Sequence, residues 1–217
     1  MTEFPKIRVM GDAALWVELG DALDADLNAR VHTLARRVET RRGVSAVVPG
    51  YASLLVEYEP AVCDYDALRQ EIADLLRRAD NAAPQTPRQI EIPTRYGGAD
   101  GPDLEFVARH NGITPDQVIE IHTRTVYQVF MLGFAPGFPY LGSVDEKIAA
   151  PRLETPRPRV AAGSVGIAGR QTGIYPRVSP GGWRIIGRTD VQLFDPMQEP
   201  PTLLRAGDRV KFIAVAR

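Results

Sequence analysis

Residues 157–189 read RPRVAAGSVGIAGRQTGIYPRVSPGGWRIIGRT, a run in which short apolar segments alternate with glycine and proline. The same texture begins near Arg124 and includes residues 133–142, GFAPGFPYLG. Short strands separated by turn residues at close intervals are typical of a compact β-sandwich or β-barrel. The pattern therefore predicts an all-β region from Arg124 to a closing strand at Val210 to Val215.

The chain upstream of residue 80 has a different pattern. Short strands are predicted at Ile7 to Met10, Ala14 to Leu19 and Leu54 to Tyr58, with a further strand near Val44 to Val48. Two helices are predicted between them from apolar residues at helical spacing, each preceded by an aspartate that can cap it. The caps are Asp24 and Asp64, and the apolar faces are Leu27, Val31, Leu34 and Val38 in the first helix and Leu68, Ile72, Leu75 and Leu76 in the second.

A linker is predicted between these two regions. Residues 81–88 are small and polar and contain two prolines, which is the composition of a connecting segment. We therefore expect an N-terminal α+β domain over residues 1–80 and a second domain over residues 89–217. The second domain is predicted to start with a strand at Gln89 to Pro93.

Two short helices are predicted after that strand, at Leu104 to His110 and Pro115 to His122. Thr114, with Pro115 and Gln117, forms the sequence signature of a capping box. Such a pair could be a DNA-binding helix-turn-helix, but Asp116 and Glu120 lie where a recognition helix needs cationic or amide groups. Nucleic-acid binding is therefore not expected.

Composition excludes several classes of protein. The 217 residues carry 26 Lys+Arg against 27 Asp+Glu, so the formal net charge of -1 supplies no general attraction for nucleic acid or anionic membranes. One cysteine, Cys63, cannot form an internal disulfide, and no signal peptide is recognised, so a cytoplasmic location is expected. Residues 125–144 contain no charge but are interrupted by Gly and Pro, which predicts a buried irregular loop rather than a membrane span.

Common catalytic motifs are missing from the sequence. Three scattered histidines and one cysteine give no metal-ligand spacing, and no phosphate-binding Gly-x4-Gly-Lys motif occurs. Ser164 lacks the Gly-x-Ser-x-Gly spacing of a nucleophile elbow, and the sequence does not show a base that would activate it. We therefore expect no bound metal, and Ser164 is left open between a catalytic and a structural role.

The density of glycine and proline in residues 133–189 suits a rigid ligand pocket. Five aromatic residues could wall it: Phe134, Phe138, Tyr140, Tyr175 and Trp183. Arginines 157 and 159 could hold a carboxylate or phosphate, and backbone amides of residues 163–169 could receive an anion. The same residues could equally pack the turns of a β-barrel, so the pattern alone leaves structure and function open.

At these residues the chain resembles the family of allophanate hydrolase subunit 1, also called the B-type subunit of 5-oxoprolinase. The resemblance rests on residues 133–142, 162–169, 171–176, 179–183 and 186–189, on the N-terminal GDAALWVE at 11–18, and on the spacing of His122 and Tyr127. It covers nearly the whole chain. Ala161 is a departure, because the family usually has proline there.

The resemblance implies an α+β fold with a C-terminal cyclophilin-like β-barrel domain. It also implies a subunit of an ATP-dependent amide or lactam hydrolase, most simply a 5-oxoprolinase, with ATP and Mg²⁺ as substrate of the complex. The implied partners are a homologous second subunit (allophanate hydrolase subunit 2, or the C-type subunit of 5-oxoprolinase) and a third, the A-type subunit of 5-oxoprolinase. The alternative is a non-catalytic regulator that inhibits a sensor histidine kinase, as the family member KipI does.

Site residues follow from the motifs and the resemblance together. His122 is a candidate for proton transfer, although an isolated histidine is more often structural. Arg159 is the second candidate catalytic residue, because it could clamp a carboxylate or phosphate. The candidate substrate-binding residues are Phe134, Pro136, Gly137, Phe138, Arg157, Gly163, Ser164, Gly166, Gln171, Tyr175, Ser179 and Gly182.

Overall fold

The structure is a computed structural model that describes residues 4–78 and 87–216. The chain divides into two compact units between residues 86 and 87. The linker predicted at residues 81–88 falls mostly on residues 79–86, which lie outside the described residues.

The first unit is a four-stranded antiparallel sheet with two helices. The sheet order is β1-β2-β4-β3, and the chain order alternates two strands with one helix. The elements are β1 (Lys6–Val9), β2 (Ala14–Glu18), α1 (Ala25–Glu39), β3 (Val44–Pro49), β4 (Ser53–Tyr58) and α2 (Tyr65–Arg77).

Both helices of the first unit start where the sequence predicts. The Asp24 carboxylate accepts a hydrogen bond from the Leu27 amide at 2.7 Å, and the Asp64 carboxylate accepts one from the Ala67 amide at 3.0 Å. Each bond satisfies a backbone donor that has no partner within the helix. The apolar helix faces and alternate residues of β2 and β4 then share one core: Leu15, Val17, Val31, Leu34, Val38, Leu54, Val56, Leu68 and Ile72.

The second unit is a closed seven-stranded barrel with two helices and a separate two-stranded ribbon. The barrel order is β10-β7-β6-β13-β5-β12-β9, and the ribbon pairs β11 with β8. The elements are β5 (Gln89–Tyr96), α3 (Leu104–Asn111), α4 (Pro115–Arg124), β6 (Val126–Leu132), β7 (Pro139–Gly142), a 3₁₀ helix (Glu146–Ile148), β8 (Arg157–Val160), β9 (Ser164–Ala168), β10 (Gln171–Ile174), β11 (Ser179–Gly181), β12 (Arg184–Arg188) and β13 (Arg209–Ala214).

The predicted α+β class, with a C-terminal barrel, is confirmed. The capping box is also present, since the Thr114 hydroxyl accepts from the Gln117 amide and the Gln117 side chain accepts from the Thr114 amide. Residues Val107, Ala108, Val118 and Ile121 of the two helices are buried in the core that also contains the barrel interior. The helix pair is therefore part of the barrel unit's packing.

The prediction of an irregular loop at residues 125–144 is wrong except for the turn at residues 133–138. This segment forms β6 and β7, which pair antiparallel with each other and with β13 and β10. Proline 139 is tolerated because it is the first residue of its strand. The absence of charge reflects burial inside the barrel wall, where Tyr127, Val129 and Leu141 are fully buried. Within the described ranges, no helix is long and apolar enough to span a bilayer.

Candidate functional site

The ribbon of β8 and β11 brings together several of the predicted site residues. Ser179 pairs with Val160 and Gly181 pairs with Arg157, with an irregular register between the two pairs. Arg157 and Arg159 therefore lie on one strand and Ser179 on the other, and Gly182 follows directly. We refer to residues 157–160 and 179–181 as the ribbon.

An aromatic cluster lies beside it. Phe138 is at its centre, with ring centroids 4.9 to 5.4 Å from those of Tyr140, Tyr175 and Trp183 in edge-to-face geometry. Val160 of the ribbon belongs to the same buried group. The predicted pocket walls therefore pack against one another, and Phe138, Tyr175 and Trp183 are at most 5% exposed.

Phe134 is the exception in this cluster. Its ring contacts Phe138 and Tyr175 edge-on, at centroid distances of 5.4 and 6.2 Å, yet the residue is 62% exposed. It also has φ of +65°, in the left-handed region that a non-glycine residue rarely adopts. Pro136 and Gly137 complete the same turn, and Gly137 has φ of +78° with its Cα against Leu193 and Phe194. The turn thus holds an aromatic ring at the surface at a cost in backbone energy.

Tyr175 links the aromatic cluster to the ribbon. A Cβ atom at Gly181 would lie 2.3 Å from the Tyr175 hydroxyl oxygen, so only glycine fits beneath it. The Trp183 backbone amide lies near enough to this hydroxyl to oppose a rise in its pKa. Burial raises the pKa of Tyr175, and the nearby cations Arg152 and Arg157 oppose that rise. The phenol is therefore a neutral hydrogen-bond donor at ordinary pH.

Arg157 and Arg159 differ in how they are held. Arg157 donates from Nη2 to the Asp103 carboxylate at 2.8 Å, whereas its Nη1 is shielded from solvent and has no hydrogen-bond partner. Arg159 is exposed and forms no hydrogen bond or ion pair with the described residues. Of these two candidate anion-binding side chains on β8, Arg157 is therefore held in place and Arg159 is free.

Two further polar groups are buried without partners, Ser179 Oγ and Gln171 Nε2. Ser179 lies on the ribbon. Gln171 begins β10, four residues before Tyr175, or about 13 Å away along an extended strand. The structure therefore places Ser179 with the arginines and leaves Gln171 away from them.

His122 is buried inside the barrel unit, with 0% exposure. Thr172 donates its single hydroxyl proton to the Gly166 carbonyl at 3.0 Å, so His122 Nε2 must donate to Thr172 Oγ1, also at 3.0 Å. The other ring nitrogen, Nδ1, then accepts from the Tyr96 hydroxyl at 2.7 Å. Burial lowers the pKa of His122 to about 3. This geometry favours the structural role that the sequence left open for His122.

The glycine-rich residues 163–169 also lie in the barrel wall. Strand β9 pairs with β10 on one side and β12 on the other, so its amides serve the sheet and the predicted anion cradle does not form. Ser164 is 5% exposed, and a Cβ at Gly163 would lie 2.0 Å from the Thr189 carbonyl oxygen. Gly166 similarly packs its Cα against Trp183. The structure therefore places Gly163, Ser164 and Gly166 in the barrel wall.

Asp103 is the residue of this region that sequence reasoning missed. It occupies the N-cap position of α3, which would explain an aspartate there, but its side chain forms no capping bond. Instead its carboxylate accepts from the Ile185 amide at 2.6 Å and from Arg157. No local signal distinguishes this aspartate from an ordinary helix cap.

A separate surface cleft of about 270 Å³ lies at residues 192–205. It is lined by Arg88 and Arg205 together with the loop from Gln192 to Thr202. Arg88 is held by an ion pair with Asp208. None of the predicted site residues lines this cleft. The described residues also include no group of three or more His, Cys, Asp or Glu that could hold a metal ion.

Comparison with known proteins shows which family the chain belongs to. The profile described as "Carboxyltransferase domain, subdomain C and D" matches residues 5–204, and the chain belongs to this family. A protein of Bacillus subtilis (strain 168), named as the B-type subunit of 5-oxoprolinase, is 42% identical over 100% of this chain and 95% of its own length. The protein of the same name from Haemophilus influenzae is 46% identical over 82% of this chain and 83% of its own. The resemblance inferred from the motifs is confirmed.

A solved relative shows the same fold in a longer chain. The crystal structure of TTHA0988 superposes with a TM-score of 0.82 at 36% identity, covering 98% of this chain. The match covers 41% of the TTHA0988 chain, so the protein described here spans about two fifths of that relative.

Proposed function

We propose that this protein is a subunit of an ATP-dependent amide or lactam hydrolase, and specifically of a 5-oxoprolinase that opens 5-oxoproline to glutamate. Full-length identity of 42% to a protein named as the B-type subunit of 5-oxoprolinase carries this proposal. A cytoplasmic location fits such an enzyme and the single cysteine of the sequence.

Chemistry explains why ATP would be needed. A lactam is resonance-stabilised, and its hydrolysis lies close to equilibrium. Transfer of a phosphoryl group from ATP to the amide oxygen creates a leaving group and makes the ring carbon more electrophilic toward water. We assign no step on this chain to the Mg²⁺ that accompanies ATP, because the described residues present no ligand cluster for it.

The ribbon supports a binding role for this chain. Its arginines 157 and 159 are cations suited to the carboxylate of 5-oxoproline or to a phosphoryl group, since a planar guanidinium can bind two oxygens at once. The Tyr175 phenol and the Ser179 hydroxyl add neutral hydrogen-bonding groups. We therefore place substrate binding at the ribbon and leave His122 in the barrel interior.

The naming of the relatives as one subunit of 5-oxoprolinase supports a multi-subunit enzyme. We propose two protein partners, a homologous second subunit together with a third, and no nucleic acid or membrane. The isolated chain should then be inactive. If the association is obligate, its interface should bury more than about 2,000 Å².

Co-expression with the two candidate partners tests the function. We expect a complex whose ATP hydrolysis depends on 5-oxoproline and yields glutamate in equal amount. Allophanate and urea serve as alternative substrates in the same assay. Activity of the isolated chain at the rate of the complex would contradict the proposal, as would a complex that responds to none of these amides.

A further inference from the structure

Asp103 is a buried acid with two different partners. It is 6% exposed, and its Oδ2 accepts from the Ile185 amide of β12 while its Oδ1 accepts from Arg157 Nη2 of β8. The carboxylate therefore ties a strand of the ribbon to a strand of the barrel wall. Because one oxygen is held by the Ile185 amide, the other oxygen is directed toward Arg157.

Arg157, held in this way, has one donor without a partner. Nη1 of Arg157 is shielded from solvent without a partner, which is unfavourable for a charged donor unless another group completes it. Arg157 pairs across the ribbon with Gly181, and Gly181 lies directly beneath the Tyr175 hydroxyl. Burial raises the pKa of this phenol, so it keeps a proton that it can donate. Two unused donors thus lie at the same end of the ribbon.

We propose that Asp103 is a positioning residue that holds Arg157 so that Nη1, together with the Tyr175 hydroxyl, donates to an oxyanion of the substrate. The ligand is a carboxylate or a phosphoryl group. This inference rests on the proposed function and deepens it, because it assigns the anionic end of the substrate to one arginine and explains how that arginine is oriented.

The chain supplies a matched control for this acid. Asp208 is also a buried aspartate of the barrel unit, 5% exposed, and it also accepts from one arginine, Arg88, and from one backbone amide, that of Arg205. None of the hydrogen bonds described for the Asp208 side chain involves a residue of the ribbon. Asp103→Asn and Asp208→Asn therefore remove the same charge from similar surroundings, and only the first touches the proposed site.

The first measurement uses the assembled complex. We expect Asp103→Asn to raise the KM for 5-oxoproline about ten- to a hundredfold, the range for a lost hydrogen bond to a charged group, with a smaller change in kcat. Asp208→Asn should leave KM within about twofold. In an Arg157→Ala background, Asp103→Asn should add no further change in KM, because it acts through that arginine. An equal KM effect in both backgrounds, or none in either, would overturn the proposal.

The second measurement uses the isolated chain and does not depend on activity. The sequence has two tryptophans, so Trp16→Phe leaves Trp183, in the aromatic cluster, as the only fluorescence reporter. We expect saturable fluorescence changes with 5-oxoproline but not with 2-pyrrolidinone, which lacks the carboxylate. An equal response to inorganic phosphate would identify a phosphoryl group as the ligand. The change should be lost in Asp103→Asn and kept in Asp208→Asn.

The two measurements separate the two proposals. If the parent complex shows no lactam-dependent ATP hydrolysis, the proposed function fails, and the fluorescence titration still decides the role of Asp103. A Trp183 signal that responds to no anion, or that the two asparagine variants affect equally, refutes the positioning role.

Discussion

Two groups of buried polar side chains lie in the barrel unit, and they differ in how their hydrogen bonds are completed. In the His122 network, both ring nitrogens have partners, and the chain of donors ends on the Gly166 carbonyl. In the ribbon, Arg157 Nη1 and Ser179 Oγ are buried without partners. A completed network stabilises the fold, whereas an incomplete one is a place where a ligand can supply the missing partner.

Backbone conformation shows the same contrast. His122 belongs to a regular helix, α4, while Phe134 near the ribbon holds a left-handed conformation and exposes an aromatic ring. Strain and exposed apolar surface persist where the folded chain alone gains nothing from them. Together these features support our proposal that the ribbon and the aromatic cluster serve binding, whereas His122 serves the fold.

The largest effect should come from breaking the histidine network. We expect His122→Ala to lower the free energy of unfolding by about 3 to 5 kcal/mol, because it leaves a cavity beside Phe212 and removes one hydrogen bond from Tyr96 and one from Thr172. Urea denaturation followed by circular dichroism measures this. His110→Ala, at an exposed histidine, is the control and should cost less than about 0.5 kcal/mol. Equal losses of unfolding free energy in the two variants would contradict a structural role for His122.

The second effect concerns activity and not stability. Arg159→Lys keeps the charge but loses the planar fork, so we expect a loss of about 2 to 4 kcal/mol in catalysis, or about thirty- to a thousandfold in rate. The thermal midpoint should stay within a few degrees of the parent, because the side chain is exposed. Arg209→Lys, an exposed arginine of β13, should keep full activity. Full activity in Arg159→Lys would take this residue out of the site.

The pH dependence of stability should reflect the titration of His122. The folded-state pKa of His122, about 3, lies below its ordinary value of 6.5, so the unfolded chain binds the proton first as pH falls. Stability from this group is therefore complete above about pH 6.5 and declines toward pH 3, by up to about 1.4 kcal/mol per pH unit. The measurement is the unfolding free energy of the parent and of His122→Gln between pH 7 and 4. Parallel curves for the two proteins would contradict it.

Only a small change in stability is expected at Phe134. Glycine adopts positive φ freely, so Phe134→Gly should leave the free energy of unfolding within about 1 kcal/mol of the parent, even with the loss of the ring contacts. Because an exposed aromatic ring is apolar surface of the kind that a protein partner covers, we expect assembly with the second subunit to weaken, as measured by isothermal titration calorimetry. Ala135→Gly, at a buried neighbour, is the control for added flexibility. Unchanged assembly together with a large loss of stability would show that Phe134 serves the fold alone.

The elements of the fold were largely predictable from local sequence. Helix caps at Asp24, Asp64 and Thr114, the apolar spacing of both N-terminal helices, and the glycine- and proline-bounded strands were all recognised, because each depends on residues within a few positions of one another. The exception was the loop predicted at residues 125–144. A lack of charge indicates burial, but it does not distinguish a loop from a strand in a barrel wall.

The candidate site was only partly predictable, since motifs identify which residues matter and not which side chains meet. Residues 163–169 form a characteristic motif, yet their amides are used by neighbouring strands, and His122 titrates far from neutrality because it is buried. Local pattern and family resemblance determined the α+β class, the barrel and the subunit family. The tertiary structure alone decided that Asp103 meets Arg157 from 54 residues away and that Gly181 lies beneath Tyr175. Such contacts depend on strand register and barrel closure, which no local spacing encodes.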